Sequence, residues 1–340
     1  MKKTLLSVLI ANTLVLSTTA FASDDRGFAP QDTFFDDAMQ FGGHVGSSIE
    51  YEYKNTTDWA KWGGIKSTEQ TRTHEVVSLF YRNAKWNLSA LYAFKLEDRK
   101  KELIKQDGSH YSETEDGYKH LLSLDKGFNI GGGWATGAVY DIEYTRSQLY
   151  STAGTSGLRK TKTEHSFRPY LTYWSNEYNA GFYSNLEYLY NDEDKSAWGT
   201  VKEEGYSLLF KPYKRFDNWE LGVEFFYQIK ENDANGSKVS DFTEKYFEPI
   251  VQYSFDDAGT MYVRARIGEN ETNGINSNDD YFKDIRKATI GYEQAVGDDW
   301  LVKAEYEWAK DTETSNMDQY AGDEKIVEQN TLFLQALYRF

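Results

Sequence analysis

Residues 328–340 read Glu-Gln-Asn-Thr-Leu-Phe-Leu-Gln-Ala-Leu-Tyr-Arg-Phe, and their parity decides the fold. Leu332, Leu334, Ala336, Tyr338 and Phe340 share one parity, while Thr331, Gln335 and Arg339 share the other. A period of two sends the two sets to opposite faces of a strand. The run is about as long as a tilted bilayer-crossing strand, for which ~9–11 residues suffice. Soluble proteins also end on strands, so the assignment depends on whether the rest of the chain repeats the pattern.

It does. Trp86, Leu88, Ala90, Tyr92, Phe94 and Leu96 alternate with Lys85, Asn87, Ser89, Lys95 and Glu97. Trp219, Leu221, Val223, Phe225, Tyr227 and Ile229 form a second row, and Trp300, Val302, Ala304, Tyr306 and Trp308 a third. A further row runs from Tyr178 through Ala180, Phe182, Leu186 and Tyr188 to Tyr190, and the first strand falls near Gly42 to Lys54. Short turns, such as Asn83-Ala84, Gly131 to Gly133, Ser175 to Glu177 and Arg215 to Asn218, alternate with long polar stretches. Those stretches run over 55–70, 99–116, 154–162, 191–202, 231–241, 269–280 and 311–325.

The count is about fourteen strands in seven hairpins, an even number as single-chain bacterial barrels require. Lipid offers no partner for free backbone groups, so a spanning sheet must close on itself. The expected fold is therefore all-β: a transmembrane antiparallel β-barrel with short periplasmic turns and long extracellular loops, both termini lying on the periplasmic side. A soluble sandwich or lipocalin-like barrel also alternates. The strand lengths and the long-short rhythm of connections weigh against it, as does the N-terminus.

There Lys2 and Lys3 precede the apolar run Leu5 to Leu16, which closes with Ala20-Phe21-Ala22, so residues 1–22 read as a secretory signal peptide. No other stretch approaches ~18 consecutive apolar residues, which excludes helical spans. Residues 23–40 do not alternate and carry Asp25, Asp32, Phe28, Phe34 and Phe35. They read either as a disordered exported tail or as a segment that docks, with the lumen the obvious place. Residues 41–340 form the barrel. There is no cysteine, so disulfides do not hold it.

Mean hydropathy is −0.71 although 16% of the residues are aromatic. A barrel reconciles the two, because every second strand residue faces a wet lumen while aromatics gather in girdles at both interfaces. The net charge of −16 offers no basic patch for nucleic acid.

Fourteen strands enclose a pore between the packed interior of eight strands and the open channel of sixteen. Inward charges of both signs include Lys95, Glu143, Arg168, Glu187, Lys211, Glu220, Glu224, Arg264, Arg266, Lys287 and Lys303. Neither strong cation nor strong anion selection follows. Tyr170, Trp174 and Tyr183 point inward on consecutive strands, and Tyr213, Phe226 and Tyr262 extend the set. Aromatic faces stack on the C–H faces of sugar rings while neighbouring Arg168, Glu187, Arg264 and Arg266 hydrogen-bond hydroxyls. The bland alternative is that such rings fill space or belong to the interfaces.

Enzymatic readings are weaker. His165 and Ser166 are neighbours on a strand and point to opposite faces. His44, His74, His110 and His120 have no catalytic setting. Glu305 and Glu307 share a face about 6.8 Å apart by strand rise, within the loose range of glycosidase pairs, but read better as lumen-wall carboxylates. The Asp-rich stretch Asn191 to Asp194 lacks EF-hand spacing. No metal, cofactor or catalytic residue is expected.

The signal peptide, fourteen-strand rhythm, absent cysteines and terminal Tyr338-Arg339-Phe340 resemble the monomeric outer-membrane porins of the porin G type. Within that group, the acidic, aromatic-bearing segment 23–40 is similar to the cyclodextrin-uptake porins, whose mobile N-terminus occupies the lumen. The resemblance implies passive uptake of linear or cyclic oligosaccharides in the outer membrane, a monomer among lipid and lipopolysaccharide, and recognition of Phe340 by the barrel-assembly machinery. It also implies that Asp25, Phe28, Asp32, Phe34 and Phe35 belong to a displaceable gate. A general porin for small hydrophilic solutes is the alternative, and an outer-membrane barrel enzyme a more distant one.

Overall fold

The computed structural model describes residues 39–57, 65–83, 85–105, 108–152, 157–195, 199–255, 259–275, 280–297, 299–315 and 324–340. The signal peptide and the gate residues Asp25, Phe28, Asp32, Phe34 and Phe35 lie outside them.

Fourteen strands run in order: β1 (Met39–Thr57), β2 (Ile65–Asn83), β3 (Leu88–Lys105), β4 (His110–Gly131), β5 (Trp134–Ser151), β6 (Leu158–Ser175) and β7 (Ala180–Lys195), then β8 (Gly199–Phe216), β9 (Trp219–Ala234), β10 (Ser237–Phe255), β11 (Gly259–Gly274), β12 (Tyr281–Val296), β13 (Trp300–Ser315) and β14 (Glu324–Arg339). Each pairs antiparallel with its chain neighbours, and β14 returns to β1, closing the barrel. At the seam Gly43 and Phe340 exchange both backbone hydrogen bonds at 3.0 Å. A Cβ on Gly43 would lie 2.7 Å from the Phe340 ring, so the missing side chain makes the seat for the terminal aromatic.

The alternation works as expected on the outside. Trp219, Leu221, Phe225, Tyr227 and Ile229 are all exposed on β9. Ten residue steps from Trp219 to Ile229, at ~3.4 Å each and tilted ~45°, cover roughly 24 Å, the height of the apolar band around such barrels. The inside is inverted relative to a soluble protein: Lys211 is 1% exposed and Glu224 3%. Together with the girdle of Trp134, Tyr173, Trp219, Tyr253, Trp300 and Tyr338 near the short-turn end, this exterior assigns the chain to the bacterial outer membrane.

Strand boundaries differ from the sequence reading in two ways. Trp86 and Tyr178, expected to open outward rows, sit in turns, because Asn87 and Asn179 adopt positive φ (45° and 46°) and the ladder starts only after them. Asn is among the few side chains that tolerate that region. Secondly, much of each polar stretch is strand. The expected loop 99–116 is mostly β3 and β4, with 106–109 left as the connection, and 231–241 contracts to a turn at Asn235-Gly236. These extensions carry no apolar parity; cross-strand charge holds them. Arg99 donates from Nη2 to Glu69 at 3.0 Å and reaches Glu115 at 3.4 Å, while Lys160 meets Glu115 at 3.2 Å.

One irregularity shapes the lower lumen. Val76 is an extra residue of β2 against β3, so Glu75 and Ser78 both face inward. Glu75 then sits between His44 Nε2 and Lys95 Nζ, each at 2.9 Å.

Candidate channel interior

The inward aromatics singled out above fall into two groups and one separate ring. On β6 to β8, Trp174 and Tyr213 flank Gly181 in register and stack with centroids 5.6 Å apart and planes at 18°. A Cβ on Gly181 would come within 2.9 Å of the Trp174 ring, so the glycine is what lets both rings lie along the wall. Arg215 caps Trp174 at 5.0 Å and donates to Glu220 at 2.8 Å. The same device recurs under Tyr170, which lies across Gly137, and under Tyr262, which lies across Gly291. A ring opposite a glycine occupies the wall rather than the passage.

The second group is a continuous arc. Tyr170 lies 6.1 Å from Tyr183, which packs against Leu209, Phe226 and Tyr246. Phe226 and Tyr246 are 4.8 Å apart, and the Arg266 guanidinium covers Tyr246 at 4.0 Å. Polar partners fix three of its members: Tyr170 donates to Asp125 at 3.1 Å, Tyr246 to Glu224 at 2.8 Å, and Arg266 to Glu248 at 2.7 Å. Tyr262 belongs to neither group; it stands on β11 near Lys303, 5.9 Å away.

The charged residues complete the wall. Glu187 accepts from Ser166 at 2.6 Å and Ser207 at 2.9 Å, and Arg168 bridges it to Asp141. Arg264 reaches Glu305 at 3.4 Å beside Lys303 at 2.8 Å. Charges taken this far from water persist only when paired. The ten residues singled out for substrate contact lie on the inward parity of their strands. Tyr170, Tyr183, Phe226 and Arg266 come together in the arc, with Trp174 and Tyr213 as a separate pair. Arg168 and Glu187 join in one network, whereas Arg264 and Tyr262 stand on another part of the wall.

Sequence reasoning missed Tyr246, Asp125, Asp141 and Glu248. Tyr246 is within reach of parity: Phe247 and Val251 fall on the apolar outward row of β10, which turns Tyr246 and Glu248 inward. A further inward patch, Leu91, Ala93 and Leu121 with Phe80, breaks the rule that inward means polar. Phe333 and Leu337 do the same on β14.

The enzyme alternative meets specific geometry. His165 accepts or donates at Tyr140 Oη, 3.0 Å away on the exterior, while Ser166 serves Glu187 inside, so the two never meet. Glu305 and Glu307 are each engaged by cations, Lys303 and Arg264 for the first and Lys287 at 3.4 Å for the second.

A closed fourteen-strand antiparallel barrel with an apolar exterior and a charged, aromatic-bearing interior defines the class: a bacterial outer-membrane β-barrel channel. The sequence matches, over residues 1–340, the CymA family, described as "Putative cyclodextrin porin", and the chain belongs to that family. The fold is similar to that of a deletion mutant of the TodX monoaromatic hydrocarbon channel, with 11% identity, 91% of this chain and 92% of that one covered, and a TM-score of 0.54. A FadL homologue of Pseudomonas aeruginosa matches at 11% identity over 90% and 91% of the two chains, TM-score 0.46. The Pseudomonas putida toluene transporter TodX matches at 10% over 90% of each, TM-score 0.47. No curated protein matches the sequence.

Proposed function

We propose that this barrel is a monomeric channel of the porin G type, through which oligosaccharides, cyclodextrins among them, diffuse passively. The observation that carries this reading is the arc from Tyr170 through Tyr183, Phe226 and Tyr246 to Arg266, in which consecutive rings run beside carboxylates and end on an ion pair. A sugar offers both kinds of surface, C–H faces and hydroxyls, and a wall presenting both lowers its free energy throughout the passage. Family membership supports the cyclic substrates. Both signs of charge line the wall, so the channel discriminates by shape and stacking more than by charge.

Residues 23–40, with Asp25, Phe28, Asp32, Phe34 and Phe35, serve in this reading as a tethered gate. A segment anchored at the lumen mouth has a high effective concentration there, and a sugar displaces it by competing for the same wall. Phe340 in its seat on Gly43 is the contact that the barrel-assembly machinery reads. Lipid and lipopolysaccharide surround the exterior.

Liposome swelling with linear and cyclic sugars of increasing size tests the reading. Entry of cyclic oligosaccharides larger than the linear cutoff supports it; a sharp cutoff at small solutes, equal for both shapes, gives the general porin instead. In planar bilayers, deleting residues 23–38 raises mean conductance and suppresses closures, and traces identical to the parent would remove the gate from the account.

A further inference from the structure

On the lipid-facing side, the strands at the closure seam carry a groove of about 610 Å³. Its floor consists of short side chains, Ser47, Ala336, Val302 and Ala304, where neighbouring exterior rows carry rings and leucines. Ser47, Ala336 and Val302 are directly opposite one another across β1, β14 and β13, so three small residues in register lower the surface together. The same rows continue onto β2, where Ser47 faces His74 and Ile49 faces Arg72. Both His74 and Arg72 line the groove and are exposed.

The position of the cation is informative. Upward from the periplasmic end, the exterior of β2 reads Tyr81, Leu79 and Val76, then His74, Arg72 and Gln70. Apolar residues give way to polar ones at His74, so Arg72 stands where acyl chains meet headgroups. Outward Lys245 and Lys310 face Glu269 and Glu328. Arg72 likewise stands in register with an outward carboxylate, Asp98 of β3, and its Nη2 lies 2.9 Å from the side-chain amide of Gln70.

We propose that this groove holds a phosphorylated, multiply acylated glycolipid of the outer leaflet, with one acyl chain along the floor and a phosphate on Arg72, His74 giving a second donor. Charge-assisted hydrogen bonds from a guanidinium fork suit phosphate, and the lowered floor gives the chain van der Waals partners that a flat barrel wall lacks. A cation that merely snorkels needs no groove, and a groove without a cation takes any acyl chain. The pair selects for phosphate and chain in one molecule.

Native mass spectrometry of the full-length protein in non-ionic micelles, titrated with hexa-acylated bisphosphorylated lipid A, tests this. A one-to-one adduct is expected, at least tenfold weaker with dephosphorylated lipid A and with the Arg72→Gln/His74→Gln double variant. Ala336→Trp, which fills the floor and leaves the cation, weakens the adduct as well. Arg286→Gln, an outward cation on β12 away from the groove, binds as the parent does. Heat-modifiable gel mobility establishes that each variant is a closed barrel. The proposal falls if the folded double variant binds as the parent, if Arg286→Gln loses as much, or if phosphatidylglycerol binds as tightly as lipid A. It falls equally if dimers appear in place of lipid adducts.

Discussion

The lower and upper halves of the β2–β4 strands are one continuous sheet built on two different rules. Below the extracellular girdle, Tyr92, Phe94 and Leu96 face lipid while Ala93, Lys95 and Glu97 face the interior. Above it, both faces meet water, and inward Glu69, Arg99, Glu115 and Lys160 hold neighbouring strands together by charge. Hydrophobic alternation specifies strands where one face is greasy. Cross-strand charge does so where neither is.

The comparison implies unequal sensitivities. The largest effect is expected for Val223→Arg, midway along the exterior row of β9, where an arginine at the bilayer midplane costs ~2–4 kcal/mol. Urea unfolding in liposomes measures it. Replacing the terminal seat, Gly43→Val, forces the Phe340 ring from its place; the expected result is a loss of folded barrel on assembly, read as the heat-modifiable fraction. The Trp174→Ala substitution removes the face stacked on Tyr213. It lowers apparent affinity for cyclic sugars in ion-current block experiments while leaving unfolding unchanged within ~1 kcal/mol, as a partly wet wall position implies.

The smallest effect concerns the charge ladder. Arg99→Gln costs no more than ~1 kcal/mol, the range of exposed pairs. The ladder also depends on pH. Burial raises the Glu69 carboxyl, but its bonds and charge contacts with Arg99 and Lys101 outweigh that and hold it below the ordinary range. Glu115 follows suit, with Ser147, Lys160 and Arg99 overcoming burial. A carboxylate depressed in the folded state adds stability that is present above its unfolded value and lost as pH falls through the folded one. Amide exchange in the extracellular parts of β2–β4 should therefore accelerate below pH ~4 while the lipid-facing part of the same strands stays protected. Acceleration of both parts together would erase the distinction.

The same contrast explains what the sequence disclosed. The exterior rows of β9, β13 and β14 were legible because lipid punishes any polar residue there, leaving an unbroken apolar parity. Strand extensions were read as loops because Glu69, Lys101 and Glu113 carry the signature of solvated turns until their partners are known. Trp86 and Tyr178 kept strand parity inside turns; only the following asparagine, Asn87 or Asn179, marks the reversal. The bulge at Val76 left a trace in the adjacent valines Val76-Val77, where alternation slips by one. In the lumen, direction was legible but company was not. That Tyr170 and Phe226 join one arc while Tyr262 stands apart depends on register between strands distant in sequence, which no local pattern contains.

The absence of cysteine makes the central claim directly measurable. Single cysteines introduced at each position from Trp219 to Ile229, labelled with a nitroxide in proteoliposomes, report contact with lipid through oxygen and with water through a polar nickel chelate. Odd positions should be reached by oxygen and even positions by the chelate, in strict alternation along the strand. Reversed phase, or accessibility without a period of two, would contradict a barrel that turns its apolar face to the membrane and its charged face to the channel.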